Sequence, residues 1–222
     1  MKKDTSVSMT KDIDLDNSDF LNSLLTGNRR MCSGIIQEHL NNQVPVQYLY
    51  ENIIKKSLYK VGELWESNKI SVATEHLASA IVEAILNELY YTVGAGKKNK
   101  NSVIVSCVEN EFHQIGIKMV SDIFELNGWN SYFLGANTPT DELINFTKII
   151  KPDILAISLT VNFNLPVLET MIQKIREELA DLPILVGGQA FSRSGQDEIA
   201  KYQNVNYLPD LASIDLVIKN FR

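Results

Sequence analysis

Five short apolar runs, separated by stretches of helical periodicity, constrain the second half of this chain more than any other feature. They are "SVIVSC" (102–107), "NSYFLG" (130–135), "DILAISLT" (153–160), "PILVGG" (183–188) and "VNYLP" (205–209). Several are rich in β-branched residues, and each is bounded by turn-forming residues. The stretches between them, such as "HQIGIKMVSDIFELNG" and "LPVLETMIQKIREELA", repeat apolar residues at three- and four-residue steps. Strand alternating with helix implies a parallel sheet covered on both faces, because parallel neighbours need a crossover long enough for a helix. An α/β fold with a doubly wound, flavodoxin-like, five-stranded parallel sheet is therefore expected over 101–222. Such sheets bind ligands beyond the carboxyl ends of their strands.

Residues 19–95 carry a different period. Phe20, Leu21, Leu24, Leu25, Met31, Ile35, Ile36 and Leu40 mark one helical face, or two short helices broken near Gly27, with Ser18 or Asp19 as a cap. Pro45 is suited to open the next helix, which carries Leu49, Ile53, Ile54, Leu58, Val61, Leu64 and Trp65 and ends at Asn68-Lys69. A third runs from about Ala73 to Tyr91, with Leu77, Ile81, Ile85, Leu86 and Leu89 inward. Short connections between such helices predict an N-terminal antiparallel bundle. "GAGKKNKN" (94–101) reads as the linker between the two parts, and its lysines as solvated. Residues 1–18 are polar and acidic and read as a disordered tail, with no apolar core for a secretory signal.

Composition narrows the function. The net charge of −6 argues against direct nucleic-acid binding. No run of 18 apolar residues predicts a membrane span. Cys32 and Cys107 form no CxxC pair, which suits free thiols and a cytoplasmic location.

The chemistry-bearing residues collect at the ends of the apolar runs. His113, one of three histidines, follows the first run; Ser158 and Thr160 end the third; Gly187 and Gly188 end the fourth. The turn "CVENEFHQIG" holds neither GxGxxG nor GxxxxGK[ST], so an ordinary dinucleotide or P-loop site is not expected. It offers instead Glu111 two residues before His113, an arrangement in which the carboxylate fixes one ring nitrogen and leaves the other for a metal. Taken alone, a histidine beside a carboxylate is more often a surface or capping residue. No second His or Cys lies at zinc-ligand spacing, so a metal here would bring most of its own ligands. Cys107 reads as a small buried residue and His39, at the polar end of a helix, as structural.

Glu111-x-His113-x-x-Gly116, 41 residues, Ser158-Leu159-Thr160, 26 residues and Gly187-Gly188 together resemble the cobalamin-binding domain family, whose pattern is Asp-x-His-x-x-Gly, Ser-x-Leu/Thr and Gly-Gly. The resemblance implies a Rossmann-like domain in which His113 ligates cobalt from below. It also implies that Ser158, Thr160, Gly187 and Gly188 line a channel for the nucleotide tail, beside Gln114 and Gly116. Glu111 stands where the commonest pattern has Asp. Trp65, followed after nine residues by Glu75-His76, resembles the helical cap of cobalamin-dependent photoreceptors related to MerR-type regulators. That likeness implies that Trp65, Glu75 and His76 cover the upper face of the corrin, over adenosylcobalamin or methylcobalamin. Some of those photoreceptors have a His directly after the Trp, where this chain has Glu66.

Three roles follow from these resemblances. The first is a cobalamin-binding sensor, responsive to light or cobalamin form, that regulates transcription through a separate regulatory protein. The second is a corrinoid carrier serving a methyltransferase. The third is a subunit of an adenosylcobalamin mutase. A binding and regulatory role rather than catalysis is the expectation, with homo-oligomer formation left open.

Overall fold

The computed structural model describes residues 18–93, 97–192 and 196–221. Most of the acidic tail, and Gly94, Ala95 and Gly96 of the expected linker, lie outside the described residues. The chain divides into two compact units, Met1–Leu89 and Tyr90–Arg222.

The first unit is helical. Helix α1 (18–25) already includes Ser18 and Asp19, so neither caps it from outside. Gly27, at φ 71°, breaks the chain where the apolar pattern changes phase, and Asn28 caps α2 (Arg29–Asn41) by accepting from Met31 N. Cys32 is buried where the spacing had favoured Met31, which is exposed. Pro45 stands directly before α3 (Val46–Leu49), and the chain continues through a π-helical turn (Tyr50–Ile54) into α4 (Lys55–Glu66). Tyr50, Ile53 and Ile54 in that turn are all buried. Asn68, at φ 56°, follows the end of α4. Helix α5 (Val72–Val93) buries Ala78, Ile81, Val82, Ile85, Leu86 and Leu89. Leu77, expected inward, is half exposed; its tip is pinned by Gly27, where an added Cβ would lie 2.8 Å from Leu77 Cδ2.

The second unit is the doubly wound domain. Strands β1 (Ser102–Cys107), β2 (Asn130–Gly135), β3 (Ile154–Ser158), β4 (Ile184–Gly187) and β5 (Val205–Tyr207) form one sheet in the order β2-β1-β3-β4-β5. All four pairings are parallel. Among the described residues, five α-helices accompany the sheet: α6 (Ile115–Leu126), α7 (Thr140–Ile150), α8 (Leu165–Glu178), α9 (Gln196–Ala200) and α10 (Leu211–Asn220). One core layer joins Ile104, Leu155, Ile157, Ile184 and Val186 to Leu143, Leu168, Met171, Ile172, Ile175 and Ile199 of α7, α8 and α9. The alternate strand positions, including Val103, Val105, Ile154 and Leu185, are also buried and face the opposite side, because strand side chains alternate. Helices α6 and α10 pack together there, with Trp129 buried edge-on between Phe124 and Phe221. Lys98, read from sequence as part of a solvated linker, pairs with Glu125 and donates to Trp129 O at 3.1 Å.

Candidate cofactor-binding site

Strand order places the topological switch point between β1 and β3. The connection leaving β1 crosses over toward β2, and the one leaving β3 turns toward β4, so a crevice opens between their loops. Register brings the chemistry to this edge. Cys107 pairs with Ser158, and Ser158 with Gly187, along the carboxyl ends of β1, β3 and β4. Thr160 lies two residues past β3 and Gly188 one residue past β4.

Glu111 organises the crevice. It is 1% exposed. Its Oε1 accepts from His113 N at 3.1 Å and contacts His113 Nδ1; its Oε2 accepts from Thr160 N at 3.0 Å and Val161 N at 2.9 Å. Burial pushes this carboxyl upward, but the hydrogen bonds from His113 and Val161 and the nearby imidazole outweigh it and hold the group at about 2. An ionised carboxylate only accepts, so the proton of the hydrogen bond to the ring resides on Nδ1. Nε2 of His113 is then the ring nitrogen turned away from Glu111, on a side chain 57% exposed. The sequence pointed to Glu111 as an orienter of His113. It gave no sign of the second clamp, on the amides that follow β3, because that contact spans about fifty residues.

Surrounding residues fix the His113 segment further. Cys107 Sγ donates to His113 O at 3.6 Å, and burial followed by the Glu111 charge pushes its thiol up to about 12. Gln114, expected against the cofactor, stands just before α6 without a side-chain capping bond, and its Oε1 accepts from Ala136 N at 3.3 Å. Gly135 makes room for it, since an added Cβ would lie 2.7 Å from that oxygen.

The glycines differ in what demands them. A Cβ at Gly188 (φ 116°) would lie 2.2 Å from Leu159 O, and one at Gly187 2.9 Å from Leu208 O. Neighbouring backbone therefore accounts for both. At Gly116 a Cβ would meet nothing within 4 Å, so the space above the start of α6, three residues from His113, is open. No group of three or more His, Cys, Asp or Glu able to hold a metal ion occurs among the described residues. The donor set is thus one oriented imidazole beside open space, which fits a metal that arrives inside its own macrocycle.

In the helical unit, Trp65 lies in the last turn of α4 and is 46% exposed, so it is not a core residue. Glu75 and His76 lie in the first turns of α5. Glu75 Oε2 pairs with His76 Nδ1 at 2.7 Å, and its Oε1 accepts from Ser79 Oγ at 2.9 Å. Periodicity also missed Phe112 and Phe163, exposed aromatics on the loops that follow β1 and β3. The amphipathic patterns by which core residues are found pass over such positions.

Comparison with known proteins agrees with this geometry. Residues 101–205 match the family model described as B12 binding domain, and residues 17–90 match a second model of the same description. The HTH-type transcriptional repressor CarH of Myxococcus xanthus is 28% identical over 165 residues, 74% of this chain and 54% of that protein. The chain thus spans about half the length of that relative. Dimethylamine corrinoid protein 3 of Methanosarcina acetivorans is 25% identical over 165 residues, 73% of this chain and 78% of that one. The solved monomethylamine corrinoid protein of Methanosarcina barkeri superposes with a TM-score of 0.77 at 16% identity, covering 89% of this chain and 94% of that chain, and so shares the fold. With both family models matched in sequence order, and with the His113 segment lying at the switch point of the sheet, this chain belongs to the B12 binding domain family.

Proposed function

We propose that this protein holds cobalamin with Nε2 of His113 as the lower axial ligand of cobalt, and that it works as a cobalamin-dependent sensor through a partner protein. The observation that carries the reading is the Glu111–His113 pair at the switch point. A buried, acceptor-only carboxylate keeps the proton on Nδ1 and so reserves the Nε2 lone pair for a metal. Bound there, cobalamin supplies a cobalt–carbon bond that light can cleave or that can pass on a methyl group. The chain supplies orientation. Gly116 leaves room beside the ligand, and Ser158, Thr160, Gly187 and Gly188 are assigned to the channel for the nucleotide tail. Trp65 offers an exposed indole face for the upper group, with Glu75 and His76 as polar contacts. The sensor role rests on the Trp-x9-Glu-His spacing and on the likeness to a transcriptional repressor.

Reconstitution with adenosyl-, methyl- and hydroxocobalamin tests the reading, with spectra taken in the dark and after green light. His113→Ala should shift the spectrum of bound cofactor and weaken binding; unchanged spectra and affinity would remove the ligand assignment. Light-dependent change in oligomeric state or partner affinity is expected of the sensor. A second reading, a corrinoid carrier serving a methyltransferase, is favoured by the breadth of the match to a dimethylamine corrinoid protein. It gains the argument if illumination changes neither elution volume nor partner binding.

A further inference from the structure

The segment that carries His113 is held from two sides, and only one of them belongs to the motif. On the β3 side, Glu111 Oε2 takes the amides of Thr160 and Val161. On the β2 side stands Asn137, in the connection between β2 and α7. Its N donates to Glu111 O at 2.9 Å, and its Oδ1 accepts from Asn110 N at 2.9 Å. One residue therefore takes the N–H entering the 110–111 unit and the carbonyl leaving it. Asn137 and Asn110 both have left-handed backbones, φ 50° and 69°, a conformation that asparagine tolerates better than most residues. Ala136 N donates to Gln114 Oε1 at 3.3 Å, which extends the clasp past His113 to the start of α6.

The Glu111 carboxylate fixes the imidazole relative to its own backbone. It can aim the ring only if that backbone is itself held. We propose that Asn137 is a positioning residue for the axial ligand: by clasping residues 110 and 111 it sets the orientation in which His113 presents Nε2. This inference rests on the assignment of His113 as ligand to cobalt.

The test compares Asn137→Gly, Asn137→Asp and His113→Ala in the full chain. Asn137→Gly keeps the backbone donor and tolerates φ 50° without strain, but removes the Oδ1 acceptor. Asn137→Asp keeps an acceptor at the same reach. Each is titrated with hydroxocobalamin, the spectrum at saturation is read for axial imidazole, and melting of the cofactor-free protein is recorded beside it. His113→Ala supplies the spectrum without axial imidazole. Asn137→Gly is expected to bind about 10-fold more weakly, the loss typical when a group supporting a metal ligand is removed. Its spectrum should move part of the way toward that of His113→Ala, while the cofactor-free melting curve stays close to that of the parent. Asn137→Asp should restore both affinity and spectrum. Parent-like affinity and spectrum in Asn137→Gly, with His113→Ala altered, would overturn the clasp and leave the ligand assignment standing. The clasp is also overturned if Asn137→Asp is as impaired as Asn137→Gly. An unaltered spectrum in His113→Ala would overturn the ligand assignment and the clasp with it.

Discussion

Replacing Glu111 with glutamine should damage both the fold and the ligand, by an amount the hydrogen bonds allow one to work out. The carboxylate oxygens face donors only: His113 N and Nδ1 at Oε1, Thr160 N and Val161 N at Oε2. Glutamine has one oxygen and one NH2, so one side must oppose donor to donor. If the NH2 faces Thr160 and Val161, two amides lose their acceptor. If it faces His113, only one amide does, and the ring can adapt by moving its proton from Nδ1 to Nε2. The second arrangement is cheaper, at about 1–3 kcal/mol for one partly buried amide left without an acceptor. It also blocks ligation, because a protonated Nε2 has no lone pair for a metal. Glu111→Gln should therefore unfold about 1–3 kcal/mol more easily in urea. It should bind hydroxocobalamin with the spectrum of His113→Ala. Fluorescence of Trp129, buried in the sheet domain, reports the unfolding once Trp65 is replaced by Phe. In acid the contrast with the parent should vanish. The carboxyl is held near 2 in the folded state, below its ordinary value, so its contribution is present above about pH 4.3 and is lost as pH falls toward 2. Parent stability at pH 7 together with a parent spectrum would refute the reasoning, since no rotation of a glutamine amide satisfies both sides.

Other substitutions separate what the fold requires from what the ligand requires. Gly188→Ala would drive a Cβ into Leu159 O with a left-handed backbone, and should lose about 2–4 kcal/mol in thermal or urea melts. Gly116→Ala meets no neighbour and should leave cofactor-free stability unchanged or slightly raised, yet weaken cobalamin binding in the same titration. Trp65→Ala, at a half-exposed position, should change stability by less than about 1 kcal/mol and lower affinity for adenosylcobalamin more than for hydroxocobalamin. Equal losses for both cobalamins would remove Trp65 from the upper face. Burial lifts the thiols of Cys32 and Cys107 to about 11 and about 12, so native protein at pH 8 should resist iodoacetamide and react on unfolding. Above the ordinary thiol range, near pH 9, the unfolded state ionises first, so both groups should lower stability as pH rises toward those values.

The sequence by itself determined the order and kind of the elements. Strand and helix periods are local properties, and β1 and β2 occupy the residues their apolar runs mark. It also identified the family, because the spacing from His113 to Ser158 to Gly187 is set by the lengths of the helices and strands between them, which a linear chain records. Where the period was weak the reading slipped. Leu77 looks like a core leucine by spacing, but it is half exposed and leans on Gly27, about fifty residues away in the chain. Gln114 follows His113 directly in sequence, and nothing local foretells that its Oε1 accepts from Ala136 N, past β2. The two conspicuous glycines at 187 and 188 are demanded by Leu208 and Leu159, whereas the less conspicuous Gly116 leaves space open. Only the tertiary structure decided these points, together with the double clamp of Glu111 and the clasp of Asn137. The clamp, the clasp and the approaches at Gly187 and Gly188 are each a hydrogen bond or close approach between segments at neighbouring strand ends. Parallel strands are joined through whole helices, so residues that meet at the edge of the sheet lie tens of positions apart, and no local pattern connects them.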